Sequence, residues 1–473
     1  MRSSAYDNVI MDPVHGSIQI FDHEMKIINH ELFQRLRFIN QNDVLSLVFP
    51  GATHTRFAHS IGAMHLSQRI WDGIINQNAR YRVIKRAPTR AEEEALLYLN
   101  QCVRIAILMH DCGHGAFSHQ LEHTPGVKEI LSNRKVFEKL WRGVDFSQWY
   151  PQIPVEICHE HYSVRAAHKI LSDEIDDEGI CLSDVISIME TTEISVSQRF
   201  KESCTLASVF FTGHRDWKEE DGESNIEPMI SFLRCFISCE FDADKGDYML
   251  RDALFAGVGY GNYDLDAMVN NLSTSDDGDW FGLVVNRKGL GALEDFVHSR
   301  FQMYRQVYNH KTSNGFELTL QMAIDEVLGE ASCYRFVHDA FCDINEYCGL
   351  VDSYFWEKFR SYARKHSASA CSALLRRQPM KFLVAIEDAS DDVVAGHVQE
   401  WAERLGVDVR NIVVAKSKLR FSKINENYDV IRVRDKHPLD ESVSFRKITE
   451  ITNFFGKFKD VEVSNIYHSP WLS

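Results

Sequence analysis

The sequence predicts a mostly α-helical protein that carries a small α/β lobe towards its C-terminal end. Three observations predict it. Between about residues 20 and 375, apolar residues recur at three-and-four spacing, the stripe of helices that face a core. From about Met380 the period changes to short apolar runs separated by one helical stretch. Neither part contains a fixed-period repeat or a low-complexity tract, which sets aside solenoids and coiled coils.

Taken in order, Thr53 to Ile75 has helical patterning and follows the breaker Pro50-Gly51. Glu93 to Asp111 places Ala95, Leu96, Leu99, Val103, Ala106, Ile107 and His110 on one stripe. His214 to Pro228, rich in Asp, Glu, Gly and Asn, reads as a solvated loop. Phe241 to Phe255 is helical again and stops before Gly257. In the second part, Phe382 to Ile386 and Asn411 to Ala415 read as strands around a helix from Asp391 to Leu405. Tyr428 to Val433 and Val461 to Ile466 add two strands, with a helix from Phe445 to Phe455 between them. The expected division is a core over 1–375 and a lobe over 376–473. The lobe has little titratable clustering and reads as structural or oligomer-forming.

Composition narrows the function. Hydrophobic residues at 44% and charged residues at 25% fit an ordinary globular chain and exclude disorder as its dominant state. The longest aliphatic run, Ile105 to Met109, is far short of the roughly 20 apolar residues of a membrane span. Met1 to Pro13 includes Asp7 and Asp12 and has no apolar stretch, so no secretory signal is expected. Eleven cysteines without a CxxC framework fit reduced thiols, and the expected location is the cytoplasm. A net charge of −16 speaks against a nucleic-acid coat or a polybasic membrane anchor. The basic stretch Arg80, Arg82, Lys85, Arg86 and Arg90 reads as a polar loop with solvated charges.

Histidine and aspartate concentrate at His54, His59 and His65, at His110-Asp111, His114 and His119, at His159 and His161, and at Asp242, Asp244 and Asp247. Metal and phosphate chemistry uses such groups. His110-Asp111 ends an apolar helix and runs into a segment where Gly113 and Gly115 allow a tight turn that folds further histidines back. A second pair, His338-Asp339, lacks those neighbours.

With Asp12-Pro13-Val14-His15-Gly16, Phe33-Gln34-Arg35-Leu36-Arg37, Phe49 to Ser60, His110 to Gly115, His159-Glu160 and Asp244 to Tyr248, the chain resembles the HD-domain phosphohydrolases. Among them it is similar to the deoxynucleoside triphosphate triphosphohydrolases, including bacterial dGTPase-like enzymes. The segments follow the family's order over roughly residues 10 to 315.

The resemblance implies an HD helical core in which His59, His110, Asp111 and Asp244 bind one divalent transition metal. Two imidazoles and two carboxylates suit Fe, Mn, Zn, Ni or Co, with Mg accompanying the substrate phosphates. It further implies that His159 is the general acid, that His114 sits by the α-phosphate and that Glu122 fills a supporting acidic position. Arg56, His119, Lys245, Tyr248 and Arg300 would clamp phosphates, since guanidinium and ammonium groups match phosphate oxygens. Tyr308 would lie under the sugar and exclude a 2′-hydroxyl, with Gln41 and Asp252 on the 3′-hydroxyl. Asn42 and Asn309 stand where the vertebrate enzymes have leucine and glutamine. Asn29 stands where their activator site has an acidic residue that reads guanine, while Arg37 is retained for a nucleotide effector.

The expected activity is metal-dependent hydrolysis of a dNTP to deoxynucleoside and tripolyphosphate by a homo-oligomer, a dimer or tetramer. Two alternatives use the same residues. One is a nuclease or phosphodiesterase on single-stranded nucleic acid, disfavoured by the net charge; the other is a non-catalytic nucleotide sensor.

Overall fold

The computed structural model describes residues 8–80, 86–175, 179–189, 191–212, 226–276, 280–424, 430–436, 443–457 and 460–471. The fold is mostly α-helical with small sheets. It opens with a hairpin of β1 (Asn8–Asp12) and β2 (Gly16–Ile20), whose residue Ile18 is buried against the helices. The three expected central helices are present with shifted ends, as α1 (Arg56–Arg80), α2 (Arg90–Met109) and α5 (Ala243–Ala256). Further helices between α2 and α5 include α3 (His119–His123) and α4 (His159–Glu174).

Sequence dictates these elements locally. Thr89 and Glu92 form a reciprocal capping box that starts α2, with Glu92 Oε2 accepting from the Thr89 amide at 2.8 Å. Tyr98, Leu99, Val103, Ile107 and Leu108 then bury its core face. Helices α2 and α5 both pack on α1. A Cβ at Gly62 of α1 would lie 2.1 Å from Asp247 Oδ1, so only glycine lets α5 approach this closely. A Cβ at Gly113 would lie 2.0 Å from the His159 carbonyl, which is why the turn after α2 can rest on the start of α4.

The chain continues through β3 (Leu272–Asp276), β4 (Phe281–Asn286), α6 (Leu290–Met303) and α7 (Lys311–Leu328). The α/β lobe comprises β5 (Lys381–Glu387), α8 (Asp391–Leu405), β6 (Ile412–Leu419) and β9 (Val461–His468), in sheet order β5-β9-β6. Ala402, Ile412 and Ile466 form its own small core.

The segment between β6 and β9 departs from the expected lobe. Strands β7 (Ile431–Lys436) and β8 (Val443–Lys447) extend the sheet of the helical body in the order β3-β4-β7-β8, with β7 parallel to β4. Phe421, Ile431, Val433 and Phe455 are buried in the main core. The expected helix from Phe445 to Phe455 is strand β8 followed by one short helix, Ile448–Ile451, because pairing with β7 captures Phe445. Most of the polar stretch from His214 to Pro228 and residues 81–85 of the basic stretch lie outside the described residues, while Arg86 pairs with Glu92 and Arg90 with Glu94. No helix among the described residues is long and apolar enough to cross a membrane. The eleven cysteines are free thiols.

Candidate active site

Helix α1 supplies His59, the end of α2 supplies His110 and Asp111, and the first turn of α5 supplies Asp244. These four converge. His59 Nε2 is 3.0 Å from Asp244 Oδ1 and 3.6 Å from Asp111 Oδ2. His110 Nε2 is 3.5 Å from Asp244 Oδ1 and 3.4 Å from Asp111 Oδ1.

Two observations test whether a cation fits. His110 Nδ1 faces the Ile107 carbonyl at 2.6 Å, and a carbonyl only accepts, so Nδ1 carries the hydrogen and Nε2 is free. The Nε2 atoms of His59 and His110 are both buried and make no well-directed hydrogen bond. Each has carboxylate oxygens of Asp111 and Asp244 within 3.6 Å, an arrangement that a ligand bound between them would satisfy. His59, His110 and Asp244 each bring one ligand atom within 4.8 Å of the others and could therefore hold a metal, with the Asp111 carboxylate beside both imidazoles. Burial opposes protonation of His59, yet Asp244, Asp247 and Asp111 carry its pKa up to about 10. The same negative field favours a divalent cation in place of that proton. Burial would raise Asp111, but Arg56 Nη1 at 2.5 Å, helped by His110 and His114, holds it well below the carboxylate range.

Beside this cluster stand three more histidines. His159 opens α4 and its ring stacks on His114 at 3.9 Å between centroids, with His119 edge-on to both. Glu122 of α3 organises them: Oε1 lies 2.8 Å from His159 Nδ1 and 3.2 Å from His119 Nδ1, while Oε2 accepts from the His159 amide at 3.0 Å. Burial disfavours charge on both stacked rings. Glu122 nevertheless raises the pKa of His159, whereas burial and the charge of Arg56 push His114 well below its ordinary value. One imidazole whose charged form is favoured and one whose charged form is disfavoured thus lie face to face.

The turn that delivers His119 is strained. Phe117 and Ser118 both have left-handed φ, at 56° and 54°. Asp352 accepts from the Phe117 amide at 2.7 Å, and Ser118 Oγ accepts from Arg56 Nε at 2.7 Å, so the turn is held from both sides.

His110, Asp111, His114, His159 and Asp244 open into a cleft of about 550 Å³, which Gln41, Arg56, His119, Lys245, Tyr248, Asp252, Tyr308 and Asn309 also line. The fully buried His59 and the half-buried Glu122 are not among its lining residues. The Tyr308 hydroxyl donates to Asp252 at 2.5 Å, and Asp252 faces His54 Nε2 at 2.7 Å. Tyr308 ends a π-helical turn, Tyr304–Tyr308, a local distortion common at functional sites. Lys245 pairs with Asp242 at 2.5 Å. Arg300 does not line the cleft. It is buried in an ion pair with Glu240 at 2.9 Å and bonds the Phe421 carbonyl.

Several cleft residues were not singled out by the sequence motifs. Tyr304 is brought in by the π-helical turn. Asp43 has a left-handed φ of 40°, and burial raises it to about 6. Glu317 of α7 is raised by burial and by Asp43. Asp43 adjoins Gln41-Asn42 in sequence, which is a usable signal. Glu317 gives none, because it is one polar residue in a long helix.

No family model matches the chain. It is 25% identical over 471 residues to a protein of Dictyostelium discoideum named deoxynucleoside triphosphate triphosphohydrolase SAMHD1 homolog, covering 96% of this chain and 76% of that one. The chicken protein named deoxynucleoside triphosphate triphosphohydrolase SAMHD1 is 24% identical over 461 residues, covering 93% and 66%. An uncharacterized Bacillus subtilis protein, YwfO, is 29% identical over 317 residues, and the chain spans 54% of its length. Two further uncharacterized relatives are likewise spanned to 50% and 59%. Among solved structures, a phosphohydrolase of Bacteroides thetaiotaomicron shares the fold with a TM-score of 0.62 at 22% identity, covering 98% of this chain and 99% of that one. The similarity to the dNTP triphosphohydrolases read from the motifs thus extends along almost the whole chain.

Proposed function

We propose that this protein is a metal-dependent deoxynucleoside triphosphate triphosphohydrolase, which cleaves between the 5′-oxygen and the α-phosphate to release deoxynucleoside and tripolyphosphate. The observation that carries this reading is the convergence of His59, His110, Asp111 and Asp244 beside a Glu122-supported His159 at one cleft. The names of the SAMHD1 relatives support the substrate class.

His59, His110, Asp111 and Asp244 would hold the cation, Fe, Mn, Zn, Ni or Co, with Mg on the substrate phosphates. When bound it supplies positive charge at the α-phosphate and lowers the pKa of water. Arg56, already fixed on Asp111 and Ser118, presents its guanidinium to the cleft together with Lys245 and His119, where phosphate oxygens are attracted. The neutral His114 stands by the α-phosphate. His159, whose protonated form Glu122 favours from Nδ1, gives its Nε2 proton to the leaving 5′-oxygen, so the deoxynucleoside departs as an alcohol. Gln41 and Asp252 take the 3′-hydroxyl, and Tyr308 closes the space that a 2′-hydroxyl would need. A cytoplasmic homo-oligomer, dimer or tetramer, with a nucleotide effector near Arg37, completes the proposal.

Product analysis tests it. The four dNTPs and four NTPs are incubated, singly and in mixtures, with Mn, Mg, Fe or Co and either wild type or Asp111→Ala. Tripolyphosphate with deoxynucleoside, abolished in Asp111→Ala, is expected. Release of dNMP and pyrophosphate, or turnover of single-stranded nucleic acid alone, would overturn it.

A further inference from the structure

Asp247 takes no part in the chemistry above, yet all its hydrogen-bonding capacity is committed. Its Oδ1 accepts from His15 Nε2 at 2.7 Å and Arg251 Nη2 at 2.8 Å. Its Oδ2 accepts from Arg251 Nε at 2.8 Å and faces His59 Nδ1 at 2.8 Å. The carboxylate is fully buried. Behind it, Arg251 Nη1 donates to Asp12 Oδ2 at 2.8 Å, and Asp12 Oδ1 accepts from the amides of Val14 and His15 at 2.8 and 2.9 Å. The turn of the N-terminal hairpin is thereby shaped by the same network that its His15 completes. The missing side chain at Gly62 makes the space, since a Cβ there would collide with both Asp247 and Arg251.

A buried array of this kind is poor value as stability alone, because desolvating two carboxylates and a guanidinium offsets much of their attraction. Its geometry has a specific effect on one neighbour. An ionised carboxylate only accepts, so Asp247 requires a hydrogen on His59 Nδ1 and leaves Nε2 as the nitrogen directed at Asp244 and Asp111. His15 and Arg251 grip both oxygens of Asp247 and keep it from turning towards the cation position as a competing ligand.

We propose that Asp247 is a positioning residue that sets the tautomer and ring plane of His59 for metal binding, and that His15 of the hairpin holds Asp247 to that task. The N-terminal hairpin is then part of the metal site although it contributes no ligand. This rests on the reading of His59 as a ligand.

The test uses full-length protein stripped of metal and titrated with Co²⁺ or Mn²⁺ alone, following heat and the visible spectrum of Co²⁺. Asp247→Asn is expected to bind about 10- to 100-fold more weakly, with an altered Co²⁺ spectrum at saturation. His15→Ala, away from any ligand, should show a smaller loss in the same direction, partly restored by His15→Gln, whose amide can still donate. The double variant Asp247→Asn/His15→Ala should bind no worse than Asp247→Asn, since His15 acts through Asp247. Circular dichroism identifies folded variants, and if Asp247→Asn fails to fold the His15 pair decides. Wild-type affinity and spectrum in folded variants would overturn the proposal. Failure of the wild type to bind either ion would instead remove the ligand reading on which it stands.

Discussion

The Tyr308 hydroxyl donates to one oxygen of Asp252 at 2.5 Å while the other oxygen faces His54 at 2.7 Å. Tyr308 is therefore fixed at its tip and cannot swing out of the cleft without breaking a short bond. Tyr308→Ala is expected to narrow the preference for dNTP over NTP by at least about tenfold in kcat/KM, roughly 1.4 kcal/mol. An unchanged ratio removes Tyr308 from sugar selection.

Glu122 and His159 make a second prediction. With burial opposing it, Glu122 raises the pKa of His159, and a general acid works only while protonated. Activity should be present below that pKa and lost as pH rises through it. Glu122→Gln should move this alkaline limb to lower pH, and His159→Ala should lower kcat by about 10²- to 10⁴-fold with metal content unchanged. A limb that stays in place in Glu122→Gln would break the link.

Asp43 should make substrate affinity depend on pH. Burial raises it to about 6, so it is neutral below that pH and adds negative charge to the cleft above it. KM for a dNTP should rise between pH 5.5 and 7.5, and Asp43→Asn should flatten the rise. Stability follows the same sign. A folded pKa above the ordinary 3.8 contributes stability that is fully present below about pH 3.8 and lost as pH rises through about 6. The melting temperature of Asp43→Asn should vary less than wild type across that window.

Arg300 should affect stability more than substrate binding. Its partner Glu240 also accepts from Ser422 and the Lys423 amide, both at 3.0 Å, and is completely buried. Arg300→Gln leaves that carboxylate without its cation, at an expected cost of about 3–5 kcal/mol seen in thermal or denaturant unfolding. KM of the folded variant should change by less than about tenfold. A large rise in KM with unfolding unchanged would restore Arg300 as a phosphate clamp.

The contrast between Arg300 and His110 shows what was legible in the sequence. His110 ends an apolar helix among glycines and histidines, so its setting is written within ten residues of it. Arg300 has the same local appearance as any helical cation, and the group that neutralises it is supplied by a distant loop. Phe445, Ile448 and Ile451 have helical spacing, yet a neighbouring strand claimed the first of them. Local period specified the long helices; long-range pairing decided the rest. Asp247 stood in a recognised segment, but its bond to His59 joins two helices and could not be read along the chain.

The parallel pairing of β4 with β7 has a consequence for synthesis on the ribosome. Leu283 waits for Ile431, about 150 residues later, which at 5–20 residues per second is roughly 7 to 30 s. Throughout that interval one edge of the apolar strand Phe281-Gly282-Leu283-Val284-Val285 has no neighbour, and such an edge invites pairing with another nascent chain. Chain stopped near residue 375 would keep that edge permanently. Low yield and aggregation of such fragments are expected to follow from an unfinished sheet, independently of the catalytic cleft.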